Sequence, residues 1–225
     1  MPAILDKNLQ IGAFIKRENP RDVLVTRDRI VESFNDLPLG CIIGSSSPRR
    51  ICYIQQYRPD IKVVPIKGNI ETRINLVKEK KIFATILAAA GIKRINYKEE
   101  NIFFNFLSLS FMLPAPGQGA IAIVHHKENI RMKNICKLID DKETRIAIEA
   151  ERALIKNING DCFTPIGAYA KVINDNLSMR ARLYSTNGKV FVEEKLTQKI
   201  SSSKCLGKLC AELMLKKATF KYNKL

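Results

Sequence analysis

Cys41-Ile42-Ile43-Gly44-Ser45-Ser46-Ser47-Pro48-Arg49-Arg50 decides the fold class of this 225-residue chain. An apolar triplet ends at a glycine, a serine run follows, and a proline stands where a helix can begin. The reading is a strand at 41–43 turning into a helix over Pro48–Tyr57, with Ser46 or Ser47 available as its cap. The same layout recurs downstream. Residues 61–66 read as a strand and Ile70–Lys78 as a helix, joined by Lys67-Gly68-Asn69. Ala84–Ala88 reads as a third strand, running into a short helix through Lys93-Arg94. Alternation of this kind predicts a doubly wound α/β domain built on a parallel sheet.

The pattern differs on either side. Residues 9–16 and 23–26 read as short strands around the polar connector Arg17-Glu18-Asn19-Pro20-Arg21-Asp22. Residues 101–112 are apolar without a deciding period. A loop, Leu113-Pro114-Ala115-Pro116-Gly117-Gln118-Gly119, leads to a strand at 120–124, and residues 129–139 and Lys142–Asn157 read as helices. Three strands (167–172, 177–183, 189–196) then precede one helix at 203–216, in which Leu206, Leu209, Cys210, Leu213 and Met214 share a face. The expectation is an α/β domain over 21–107 and a small C-terminal α+β domain over 135–225.

Composition narrows the function. A hydrophobic fraction of 46% fits a globular protein, and no apolar run approaches the ~20 residues that span a bilayer. The start of the chain carries no secretory pattern. The six cysteines form no CxxC pair and have no histidine cluster beside them, so no metal site is expected, and a reducing, cytoplasmic setting is. The formal net charge is +16, but the lysines are scattered and there is no tryptophan or dense basic block. This favours a basic pocket for an acidic small molecule over nucleic acid. His125-His126 has no third ligand at suitable spacing and reads as exposed. Cys41, Cys52, Cys136, Cys205 and Cys210 sit among apolar neighbours and read as core thiols.

Three turns carry the candidate chemistry. At Ser46-Ser47-Pro48-Arg49-Arg50, free N–H groups and the helix dipole favour an anion, and two arginines in a first turn, where the dipole disfavours them, point to a carboxylate ligand. The alternative is an ordinary capped helix with solvated arginines. Lys67-Gly68-Asn69-Ile70-Glu71-Thr72-Arg73 repeats the layout, and both turns lie at carboxyl ends of strands, where ligands bind in open α/β sheets. Gly91-Ile92-Lys93-Arg94 adds a third cationic edge, which a dipole-matched helix end explains equally well. Gln118, between two glycines, offers an amide. Finally Asn159-Gly160-Asp161-Cys162-Phe163-Thr164-Pro165-Ile166-Gly167 places one cysteine in a tight polar turn, positioned rather than packed.

Taken in order, these segments, together with Arg17–Asp22, the 86–94 stretch, the 113–120 loop and Glu151-Arg152-Ala153, resemble the porphobilinogen deaminase (hydroxymethylbilane synthase) family. The resemblance runs from about Leu9 to Ala170; residues 171–225 match only in layout. It implies a periplasmic-binding-protein-like α/β domain, a transferase joining four porphobilinogens head to tail with loss of ammonia in tetrapyrrole (haem) biosynthesis, and a monomer. It also implies a dipyrromethane cofactor on a thioether to Cys162, held by Ser47, Arg49 and Arg50, with Lys67, Arg73, Arg94 and Gln118 toward carboxylates of cofactor or substrate. Lys67 stands where the family usually has Arg, Asp161 where it commonly has Gly, and Pro48 where it commonly has Leu.

The resemblance further implies that Met1-Pro2 aligns just after the family's catalytic aspartate. No catalytic residue is therefore expected within the chain. Residues 1–20 and 108–130 would be remnants of the family's first domain, and the chain would be an inactive or incomplete fragment, through a misassigned start, gene decay or a split gene, the last of which would leave a separately encoded N-terminal piece as a partner. A non-catalytic binding module for a carboxylated small molecule is the alternative.

Overall fold

A computed structural model of the protein describes residues 5–27, 30–31 and 33–222; Met1 and Pro2, on which the N-terminal alignment turns, lie outside them. The βα alternation builds a five-stranded sheet in the order β4-β3-β5-β2-β6. Its strands are β2 (Asp22–Arg27), β3 (Ile42–Gly44), β4 (Lys62–Val64), β5 (Ala84–Ala88) and β6 (Ile102–Phe106). β3 runs parallel to β4 and β5. The expectation of a wholly parallel sheet is corrected at β2, which pairs antiparallel with both β5 and β6. β2 enters from the connector rather than from a βα crossover, and it runs against the other four strands. The undecided 101–112 stretch supplies β6, the edge strand beside it.

Alternation along β2 explains how both sheet faces are covered. Leu24 packs with Ile43, Ile54 and Ile86 under α1 (Pro48–Tyr57). Val23 and Val25 pack with Ile74 and Leu87 on the opposite face, under α2 (Ile70–Lys78) and α3 (Ala89–Ile95). A separate antiparallel ribbon joins β1 (Leu9–Ile15) to β7 (Ile121–His126), with its register shifting at Gly12. α4 (Ile130–Ile139) packs on this ribbon, across the boundary expected at 135.

The C-terminal part is a meander of β8 (Ile166–Ile173), β9 (Asn176–Tyr184) and β10 (Phe191–Lys199). One face is covered by α5 (Lys142–Asn157) and α6 (Leu206–Lys217), around fully buried Leu154, Met179, Leu206 and Met214. α5 and α6 touch backbone to backbone at Gly207, where an added Cβ would stand 2.0 Å from the Ala150 carbonyl oxygen. Gly207→Ala must therefore push the helices apart. A loss of about 1–3 kcal/mol is the expected result, read as a lowered urea midpoint with an unchanged slope.

An aromatic joint fastens α1 to the C-terminal sheet. Tyr53 meets Tyr184 of β9 edge-on at 6.3 Å, and Phe111 meets Tyr53 and Tyr57 at 4.9 and 4.7 Å. The Arg182 guanidinium lies between the Tyr53 and Phe191 rings, at 5.6 and 4.6 Å, while its Nε donates to Glu193 at 2.6 Å.

Two side-chain expectations are corrected. His125 is buried at 6% exposure, because the bulge at Gly12 leaves room for its ring; a Cβ there would stand 2.5 Å from the ring. Cys205 is exposed, because α6 begins only at Leu206, after a 3-10 turn over Ile200–Cys205. Cys41, Cys52, Cys136 and Cys210 are buried as expected.

Candidate functional site

The turn after β3 presents an open helix end. Ser47 is the N-cap of α1, but its side chain makes no capping bond, and no acidic residue occupies the first turn. Ser46, the other expected cap, instead ties the turn to the next one: its hydroxyl donates to the Ile66 carbonyl at 2.7 Å and accepts from the Ile66 N–H at 3.0 Å. The first N–H groups of α1 are thus left for an acceptor from outside the helix.

Arg49 and Arg50 do not reach into solvent. Arg49 Nη1 donates to Asp22 Oδ2 at 2.7 Å and to the Leu113 carbonyl at 2.6 Å. Arg50 donates to Asp22 Oδ1 from Nε at 3.1 Å and Nη2 at 2.7 Å, and to the Ile86 carbonyl at 2.8 Å. Gln118 uses its amide nitrogen on the Pro20 carbonyl at 2.6 Å and on Asp22 at 3.1 Å. Burial would push the Asp22 carboxyl up, but Arg49 and Arg50 outweigh it and hold it below the usual carboxylate range. Two guanidiniums against one carboxylate leave a net buried positive charge, and Arg49 Nε is buried with no hydrogen-bond partner. A buried donor left unpaired costs about 1–3 kcal/mol, so an acceptor arriving there is favoured.

Cys162 stands opposite. Its loop is closed by Asp161, whose Oδ1 accepts from the N–H of Phe163 at 2.8 Å and of Thr164 at 2.9 Å. These bonds, with the Thr164 hydroxyl, hold the Asp161 carboxyl below its ordinary value. The Cys162 side of this loop is exposed. Cys162, Ser47, Arg49 and Lys156 line one cleft of about 880 Å³, with Pro116 at its side. A second crevice of about 280 Å³ brings Arg50 and Arg73 together beside Gly68 and Gly91. Arg73 Nε there donates to the Gly68 carbonyl at 3.0 Å. Lys67 is exposed outside both spaces. Arg94, also exposed, reaches the Gly119 carbonyl at 3.3 Å.

Two acidic residues organise the site without having been assigned a role from the sequence. Asp22 is the first. Glu151, fully buried, is the second: it accepts from Arg17 Nη1 at 2.6 Å and Nη2 at 3.2 Å, from Gly117 N–H at 2.6 Å and from Ala170 N–H at 2.7 Å. Burial pushes its carboxyl up, against the pull of Arg17 and the two backbone donors. The only sequence signal for either was an acidic residue inside an otherwise basic or apolar motif. Among the described residues, no group of three or more His, Cys, Asp or Glu is placed to hold a metal ion.

Residues 1–134 match the family model for the porphobilinogen deaminase dipyromethane cofactor binding domain, and residues 145–216 match the model for the porphobilinogen deaminase C-terminal domain. The chain belongs to the porphobilinogen deaminase family. Curated porphobilinogen deaminases that it resembles include that of Clostridium acetobutylicum, 41% identical over 92% of this chain and 68% of the relative. That of Clostridium novyi is 37% identical over 96% and 72%, and that of Coxiella burnetii 38% identical over 95% and 68%. Among solved structures, the periplasmic VFT2 domain of Bordetella pertussis BvgS overlaps 65% of this chain and 59% of its own, at 17% identity and a TM-score of 0.40. The family is one of transferases, and the residues present suit its cofactor: an exposed thiol and an arginine with one unpartnered buried N–H line one cleft, next to an uncapped helix end.

Proposed function

We propose that this chain carries the primer-holding part of a hydroxymethylbilane synthase, which condenses four porphobilinogens head to tail and releases one ammonia for each. The observation that carries the reading is the cleft shared by Cys162, Ser47 and Arg49. Cys162 would hold dipyrromethane by a thioether, Ser47 and the free N–H groups of α1 would take one carboxylate, and Arg49 another. The bound dipyrromethane supplies the pyrrole carbon onto which the chain grows. Arg50 and Arg73, in the adjoining crevice, would hold side-chain carboxylates of rings added later, while Lys67 and Arg94, exposed outside that crevice, would take further carboxylates. Gln118 serves this site by orienting Asp22.

Neither Asp22 nor Glu151 suits proton transfer to a substrate, since each is at 0% exposure and fully engaged in ion pairs. We place the acid–base carboxylate on a further segment, supplied in cis or by a separate chain, that docks on the β1–β7 ribbon. That ribbon exposes Leu9, Ile15, Ile121 and Val124 and pairs with no third strand among those described; unpaired apolar edges of this kind recruit strands. Six free thiols fit a cytoplasmic setting.

The test is intact-protein mass spectrometry after incubation with porphobilinogen. The expected product is the chain plus two porphobilinogens less two ammonias, absent in Cys162→Ser. Reversible porphobilinogen binding without any adduct would instead make the chain a binding module. Turnover is expected only when the N-terminal segment of the Clostridium acetobutylicum relative is added, and robust turnover by the chain alone would remove the need for docking.

A further inference from the structure

One cation beside Cys162 is used by none of the roles above. Lys156 lies in the last turn of α5, is exposed, and lines the same cleft as Cys162, Ser47 and Arg49. A favourable helix dipole accounts for a lysine in a last turn, but not for its lining the cleft of Cys162. Asp161 spends its Oδ1 on two N–H groups and the Thr164 hydroxyl of its own loop. No ion pair involves Lys156 among the described residues. On the α1 wall, Arg49 has a buried Nε without an acceptor. The cleft thus carries two cationic side chains, one on each wall: Arg49, which shares Asp22 with Arg50, and Lys156, which makes no ion pair although Asp161 lines the same cleft.

We propose that Lys156 is a positioning residue for primer capture, binding a carboxylate of the first porphobilinogen while Cys162 takes its aminomethyl carbon. The assignment rests on the reading of the cleft given above. In the capture step the Cys162 Sγ–carbon bond forms and the carbon–nitrogen bond breaks. Its electron pair leaves on nitrogen, and the thiol proton completes the departing ammonia. Clamping a carboxylate between α5 and α1 fixes the aminomethyl carbon relative to Sγ, which is where holding two reactants in place gains most. Lys156 acts through the carboxylate and takes no part in the bond exchange.

The test uses the full chain, freed of any adduct, with porphobilinogen in graded concentrations and the Cys162 adduct read by intact mass. Lys156→Gln should raise the half-loading concentration about tenfold, equivalent to about 1.4 kcal/mol, leaving the limiting rate within about threefold and the urea midpoint unchanged. Lys156→Arg should restore loading to within about threefold, and Lys156→Glu should load more poorly than Gln. Added salt should weaken loading of the parent chain more than of Lys156→Gln. Equal half-loading concentrations for the parent and Lys156→Gln would overturn the assignment. If the parent chain forms no adduct, the covalent reading of Cys162 fails on its own. Calorimetric binding of porphobilinogen then decides Lys156, which must account for about a tenfold change in affinity or be withdrawn.

Discussion

Asp22→Ala is expected to lower stability by about 3–5 kcal/mol, the cost of removing one member of a buried ion cluster. The variant leaves Arg49 and Arg50, 4% and 9% exposed, facing each other with no counter-charge. Against a typical total of about 5–15 kcal/mol, this is enough to shift the urea midpoint strongly. Asp22→Asn separates charge from shape and should recover only part of the loss. The pH dependence follows from the direction of the Asp22 shift. Its folded pKa lies below its unfolded value of about 3.9, so its contribution is fully present above about pH 4. It is lost as pH falls through the lower folded value. The difference between parent and Asp22→Ala should therefore be constant near neutrality and shrink in acid. A difference that stays constant down to pH 2 would mean that Asp22 acts through shape alone.

Glu151→Ala is the second large effect, again about 3–5 kcal/mol. It strips four hydrogen bonds at once and releases Arg17, which also donates to the Gln118 carbonyl at 2.9 Å and lies over the Tyr169 ring. Because Glu151 joins the end of β1, the 117 loop and β8, its loss should also loosen the ribbon from the C-terminal sheet. Hydrogen exchange at Ala170 and Gly117 would report this. The acid response has the opposite sign to that of Asp22. A carboxyl whose folded pKa is raised gives a contribution fully present below its unfolded value of about 4.3. That contribution is lost as pH rises through the folded value. Glu151→Gln, which cannot titrate, should therefore lose less than Glu151→Ala and show a flatter pH profile above about pH 4. A double cycle with Arg17→Ala should give a coupling of about 0.5–3 kcal/mol; additivity would deny the pair.

The same residues show what a one-dimensional reading can reach. α5 was legible to the residue, because Asp141 caps it and its apolar positions repeat on one face. The strand–turn–helix units at 41–57 and 61–78 were legible because Gly, Asn, Ser and Pro have local conformational preferences. Partners across the fold were not. Arg49 and Arg50 were read as facing a ligand, yet three of their five hydrogen bonds go to Asp22, which local sequence places only in a polar connector. β2 was legible as a strand but not in direction, since direction depends on pairing with β5 and β6. His125 turned inward because of a bulge in β1, more than a hundred residues away. The cleft itself, formed by the start of α1 and the end of α5, was suggested only by the family resemblance, not by spacing.

The aromatic joint between α1 and β9 has a thermodynamic consequence. The two walls of the Cys162 cleft belong to different sheets, yet Tyr53, Tyr184 and Arg182 lock them together before any ligand arrives. Ordering those walls is therefore part of folding and is not charged again when a small polyanion binds. Weakening the joint, as in Tyr184→Leu, should leave every cleft residue in place and still make association less favourable through its entropy.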